Sequence, residues 1–180
     1  MRGMGGVRGA DLVGLWATGR RRQFEVLGRC EAVTAMPWMP VAFAELLADV
    51  REIPGDKSNP RILEYLATTT LGGDGVGDDT AWCSAFVNFC LRMARVAGTN
   101  SAAARSWLAW GQASDPRVGS VCVLWRGSLD GWQGHVGFVL GWNGGAVHLL
   151  GGNQGDRVSV QSFPIGRVLG YREPKLVEVV

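Results

Sequence analysis

Gly77-Asp78-Asp79-Thr80-Ala81-Trp82-Cys83-Ser84-Ala85-Phe86-Val87-Asn88 is the stretch on which the reading of this chain turns. A polar loop hands over to a helical run, and a cysteine falls in the first turn. Asp79 or Thr80 is placed to cap that helix. It is expected from about Ala81 to Ala97, with Phe86, Val87, Cys90, Leu91 and Ala94 as its buried stripe and Gly98 as its stop. A thiol beside the positive end of a helix dipole is biased toward thiolate, the nucleophilic form. Cys90, on the apolar stripe, and Cys122, inside an apolar strand, read instead as small core residues.

Upstream, Pro40 opens a helix carrying Val41, Phe43, Ala44, Leu46, Leu47 and Val50. Asn59-Pro60 is an N-cap followed by proline at the first helical position, starting a short helix with Ile62, Leu63, Leu66 and Ala67 inward. Leu71 to Asp79 is a glycine-rich loop that would wall a cleft next to Cys83. Downstream, Ser101 is placed to cap a fourth helix through Trp107 and Trp110, closed by Gly111. From Pro116 the period becomes strand-like: Val121 to Trp125, Val136 to Leu140, Ala146 to Leu150, Val158 to Phe163 and Val168 to Tyr171. Helices first and strands afterwards predict an α+β domain, with an antiparallel sheet packed on the cysteine helix.

The second chemical residue sits in Gly134-His135-Val136-Gly137-Phe138-Val139. Alternation puts Val136, Phe138 and Leu140 on one face, read as core. His135, Gly137 and Val139 lie on the other, expected to face the helix bearing Cys83. An imidazole so placed takes the thiol proton as general base and returns it to a leaving amine as general acid.

The chain has 180 residues, 47% of them hydrophobic, a net charge of +2 and a mean hydropathy of +0.08, which describes one globular domain. No run reaches the roughly 18 apolar residues of a membrane span. Four cysteines without a C-x-x-C pair fit free thiols rather than a disulfide scaffold. Residues 1–35 hold six arginines against three carboxylates, while the remainder is close to neutral. This basic leader reads either as a poorly ordered segment or as an upstream extension of a chain starting at Met36. It lacks the apolar core of a secretory signal. Arg20-Arg21-Arg22 reads as solvated leader, so no nucleic acid is expected as a partner.

Four motifs in order resemble NlpC-like and CHAP-type peptidoglycan hydrolases, as found in compact phage-associated lysins. Asp79 to Asn88 is similar to their nucleophile motif. Pro116-Arg117-Val118-Gly119-Ser120 is similar to their Pro-x-x-Gly-Asp turn, with Ser120 for the usual Asp. Gly134 to Val139 is similar to their histidine strand, and Leu149 to Gln154 together with Gly170-Tyr171-Arg172 completes the pattern. The resemblance implies a papain-like fold over residues 36–180 and cleavage of an amide in the peptide part of peptidoglycan. It also implies that the Cys83 backbone N–H contributes to an oxyanion hole.

In such enzymes a polar residue on the neighbouring strand orients the histidine, and Asn153 and His148 both qualify. An Asn143-Gly144 turn pairs Trp142 with Gly145 and brings Asn153 beside His135. It leaves His148 about 13 Å away along the strand. A turn at Gly141-Trp142 would oppose His135 and His148 instead. CHAP-type enzymes also carry a Glu shortly before that Asn, where this chain has Gly151-Gly152.

Most of the eight tryptophans read as core. Trp82 and Trp132, which flank Cys83 and His135, are candidate substrate contacts together with Gln154. Cys83, His135 and His148 lack zinc-ligand spacing, so neither metal nor cofactor is expected. The expectation is a monomeric cysteine hydrolase without stable membrane insertion. It would be made in the cytoplasm without a signal peptide and act on the cell wall. A secreted antibacterial amidase with the same chemistry, a papain-like acyltransferase and a non-catalytic wall-binding module are the alternatives.

Overall fold

The computed structural model describes residues 36–73 and 75–175; the reading of residues 1–35 as a leader or extension lies outside the described residues. Helix α1 (Met39–Leu47) begins with proline in its first turn. Helix α2 (Pro60–Leu66) starts as expected: the Asn59 side chain accepts from the Arg61 N–H at 2.9 Å, and Pro60, which has no N–H to lose, takes the first position.

Helix α3 (Cys83–Met93) is shorter than the sequence predicts, and every residue from Cys83 to Leu91 is buried. A helix enclosed on all sides must satisfy its polar side chains internally. Ser84 Oγ donates to the Ser101 carbonyl at 2.6 Å and accepts from the Trp107 indole at 2.8 Å. Asn88 Nδ2 donates to the Ser84 and Ser101 carbonyls, while its Oδ1 accepts from the Asn100 N–H. Neither Asp79 nor Thr80 caps α3: Trp82 is the N-cap residue and makes no side-chain cap. The carboxylate that orders this loop is Asp78, whose Oδ2 accepts from the Ile53 and Asn59 N–H groups at 2.9 and 2.8 Å. The fourth helix is a 3-10 turn at Ala104–Ala109, because the Ser101 hydroxyl closes a local turn on the Ala103 N–H instead of capping a longer helix.

The strands are β1 (Gln112–Ser114), β2 (Val121–Trp125), β3 (Gly134–Asn143), β4 (Ala146–Gly151), β5 (Ser159–Pro164) and β6 (Val168–Glu173). They form one antiparallel sheet in the order β1-β6-β2-β3-β4-β5. The expected α+β architecture is present. Val121, Val123, Val136, Phe138 and Leu150 pack with α3 and the other helices, and Cys122, Leu124, Val139, Val147 and Leu149 form a second apolar cluster. Strand alternation thus gives apolar residues to both faces of the sheet.

The β3–β4 hairpin departs from the expected register. Asn143 pairs with Ala146, so Gly144-Gly145 is the turn, and Asn143 Nδ2 hydrogen-bonds His148 Nε2 across the ladder at 3.2 Å. One extra residue on β3, Leu140, then bulges between Val139 and Gly141 and shifts the pairing again, to Phe138 with Leu150.

Candidate active site

Cys83 is the first residue of α3 and His135 the second of β3; both are buried, at 6% and 4% exposure. They meet through one peptide unit. The Val136 N–H, in the peptide that follows His135, favours the charged form of the Cys83 sulfur, as do the N–H groups of Ser84 and of Cys83 itself. Among the described residues no direct sulfur–imidazole hydrogen bond forms. Catalytic hydrogen bonds of this type often tighten only when substrate is seated.

The face assignment on β3 is the reverse of that expected. Val136 and Phe138 pack with Cys83 and Phe86 on the helix side. His135 pairs with Leu124 of the opposite cluster and lies against the Phe163 ring, centroids 5.2 Å apart. The Cys83 and His135 side chains therefore belong to opposite faces of β3, with Val136, the residue after His135, on the Cys83 side.

The residue that holds the imidazole is Gln154. His135 Nε2 and Gln154 Oε1 are 2.9 Å apart. Gln154 Nε2 donates to the Leu149 carbonyl at 3.2 Å and to the Ser159 carbonyl at 2.6 Å, so the amide cannot be turned round without opposing oxygens. Its oxygen must face the ring, which makes His135 Nε2–H the donor and leaves the lone pair on Nδ1. That is the protonation pattern of a general base.

Asn153, expected in this role, does not fill it. The β4 ladder ends at Gly151, Asn153 takes a left-handed backbone conformation (φ 55°), and its Nδ2 donates to Glu52 Oε1 at 3.0 Å. The turn thereby presents the next side chain, Gln154, to His135. Gln154 is buried, which corrects its reading as a substrate contact. His148, the alternative third residue, pairs with Gly141 and contacts Ser162 Oγ at 2.7 Å. Six residues separate Gly141 from His135 on β3, about 20 Å of strand.

Trp82 is also not a cleft residue: it is fully buried, and its indole N–H donates to Glu52 Oε1 at 2.8 Å. Trp132, on the β2–β3 loop three residues before His135, is 84% exposed. Glu52 had no signal in the sequence, since its partners lie 30 and 101 residues away.

The departure at Gly151-Gly152 has a steric account. A Cβ on Gly151 would stand 2.8 Å from Gln154 Oε1, and one on Gly152 would stand 2.6 Å from the Phe86 Cβ and collide with the Trp82 ring. Only this glycine pair lets Gln154 fold back onto His135 while the loop lies flat on α3.

Burial governs the charge states. It pushes the Cys83 thiol above its ordinary value, against the three backbone N–H donors and the Arg126 charge. The dipole-stabilised thiolate expected from the helix start is thus outweighed. Burial also lowers His135 from 6.5 to about 4; the Gln154 hydrogen bond opposes this, while Arg126 and Arg167 add to it. Near neutral pH the two groups are a thiol and a neutral imidazole.

Beside Glu52 the glycine-rich loop walls a cleft of about 570 Å³, lined by Glu52, Asp56, Asp78, Asp79 and Asp156 among others; neither Cys83 nor His135 lines it, so it is not the cleft beside Cys83 that was expected. Among the described residues no cluster of His, Cys, Asp and Glu is arranged to hold a metal ion, and no helix is long and apolar enough to cross a membrane.

Comparison with curated proteins and with solved structures returns no match. Comparison with family profiles matches residues 75–153, the stretch from the cleft loop through the nucleophile helix and histidine strand to Asn153. CHAP domains are papain-like and typically act as cysteine- and histidine-dependent amidases or peptidases. The profile that matches is that of the CHAP domain, a family whose members are in general peptidoglycan hydrolases or amidases; it covers residues 75–153, a little under half of the chain.

Proposed function

We propose that this chain is a cysteine peptidase or amidase that cuts an amide in the peptide part of peptidoglycan, with Cys83, His135 and Gln154 as its working residues. The observation that carries this reading is the Gln154 amide, whose two carbonyl contacts allow only the imidazole tautomer that can accept a proton at Nδ1. Cys83 attacks the carbonyl carbon as His135 takes the thiol proton. His135 then returns it to the departing amine, and water releases the acyl group from sulfur. The N–H groups at the uncapped start of α3 supply the donors for the developing oxyanion in this reading. The exposed Trp132 offers a stacking surface for sugar at the rim. The place of action is the cell wall, and the biological role is that of a lysin. A small immunity gene beside this one would favour the antibacterial effector role instead.

Digestion of purified cell walls tests the reading. Wild-type protein should release soluble fragments, and Cys83→Ala and His135→Ala should release none. Full activity in either variant overturns the mechanism. Mass spectrometry of the fragments identifies the bond, either a stem-peptide amide or the link between sugar and first alanine.

A further inference from the structure

We infer that Glu52 is a positioning residue that ties the two halves of the site together through a single oxygen. The inference rests on the hydrolase reading above and adds a residue outside the matched stretch 75–153.

Glu52 Oε1 accepts the Trp82 indole N–H at 2.8 Å and the Asn153 amide at 3.0 Å. Trp82 is the residue before the nucleophile, and Asn153 is the residue before the amide that holds the histidine. Helix α3 has no side-chain cap at Trp82, and the left-handed conformation of Asn153 lies beyond the end of β4, where no ladder supports it. Charge-assisted hydrogen bonds onto one carboxylate oxygen are the strong kind, and they fix the distance between the two donors.

Glu52 is itself anchored to the loop it controls. Its N–H donates to the Asp156 carbonyl at 2.8 Å, the Val158 N–H donates to the Val50 carbonyl at 2.9 Å, and Arg51 bridges to Arg157. The Gln154 N–H closes the same loop on the Arg157 carbonyl at 3.0 Å. The segment 50–52 is therefore a strap across residues 153–158, and the Glu52 side chain extends that strap to α3. Removing the carboxylate cuts the side-chain link between Asn153 and Trp82, leaving only the Gly152 packing on α3 to set their spacing, while Cys83, His135 and Gln154 keep their chemistry.

The test uses the full chain with two readouts. One is kcat and KM on soluble peptidoglycan fragments. The other is the imidazole 15N spectrum of His135, distinguished from His148 by comparison with His148→Gln. Wild type should show His135 as a single Nε2–H tautomer. Glu52→Ala should lose about tenfold to a hundredfold in kcat, the cost of misplacing reacting groups by about an ångström. KM should stay within about threefold, and the His135 signals should move to an exchanging tautomer mixture. Glu52→Gln, which keeps an oxygen acceptor, should recover most of both.

Asn153→Gly keeps the left-handed backbone and removes only the amide, so it carries the test if Glu52→Ala does not fold. It should reproduce the kcat loss and the 15N change. A folded Glu52→Ala or Asn153→Gly with wild-type kcat, or with an unshifted His135 spectrum and only a lowered melting temperature, overturns the inference. A wild-type protein that releases no fragments overturns the hydrolase reading, and the 15N arm still decides the role of Glu52.

Discussion

At His135 one amide does the work of orientation and of tautomer selection together. The Gln154 side chain is buried and makes three hydrogen bonds, two of them from its nitrogen to backbone carbonyls. Gln154→Leu should lower kcat by about 10²-fold or more, because Nδ1 would no longer be the reserved acceptor. It should also destabilise the fold by about 1–3 kcal/mol through newly unpaired buried groups. Fragment release and denaturant midpoints check the two effects separately. At this scale the placement of Cys83 at a helix start and of His135 on a strand was legible, because both are local patterns. Gln154 was not. Its role depends on a bulge at Leu140 and on a left-handed Asn153, and each shifts by one residue which side chain arrives at the ring. Neither has a signature in single-sequence periodicity. Glu52 lay further out of reach, since only the folded chain brings residues 52, 82 and 153 together.

The helices and strands were legible wherever apolar spacing marks them, and the sheet contains all five strands read from the sequence. The exceptions are instructive. Strand β1, Gln112-Ala113-Ser114, has no apolar alternation and exists because β6 offers it a partner. Helix α3 reads as amphipathic yet is enclosed on every side, because Ser84 and Asn88 find carbonyls and an indole inside the protein. Ser84→Ala should therefore destabilise the fold by about 1–3 kcal/mol, leaving the Trp107 N–H buried and unpaired. A melting temperature lower by several degrees would register it. The contact of the 151–154 turn with α3 is equally exacting. Gly152→Ala should cost about 1–3 kcal/mol by overpacking against Phe86 and Trp82. It should also reduce fragment release, since the displaced turn carries Gln154. A stable, fully active Gly152→Ala would contradict this account.

Across the whole molecule, the buried imidazole links stability to pH. His135 has a folded value of about 4 against an ordinary 6.5. Below pH 6.5 the unfolded chain binds a proton that the folded chain refuses. Stability is therefore full above 6.5 and falls as pH drops toward 4, by an amount on the order of 3 kcal/mol. Denaturation curves across that window should show the slope, and His135→Gln should flatten it. The proposed site lies at one end of β3. At the other end, the Gly144-Gly145 turn faces open space, with nothing within 4 Å of a Cβ at Gly141, Gly144 or Gly145. Eight residues, or about 26 Å of strand, separate that tip from His135. The hairpin is thus a splice point: a foreign loop grafted between Gly144 and Gly145 should leave the turnover rate intact, so the domain's choice of target could be re-engineered without touching its machinery.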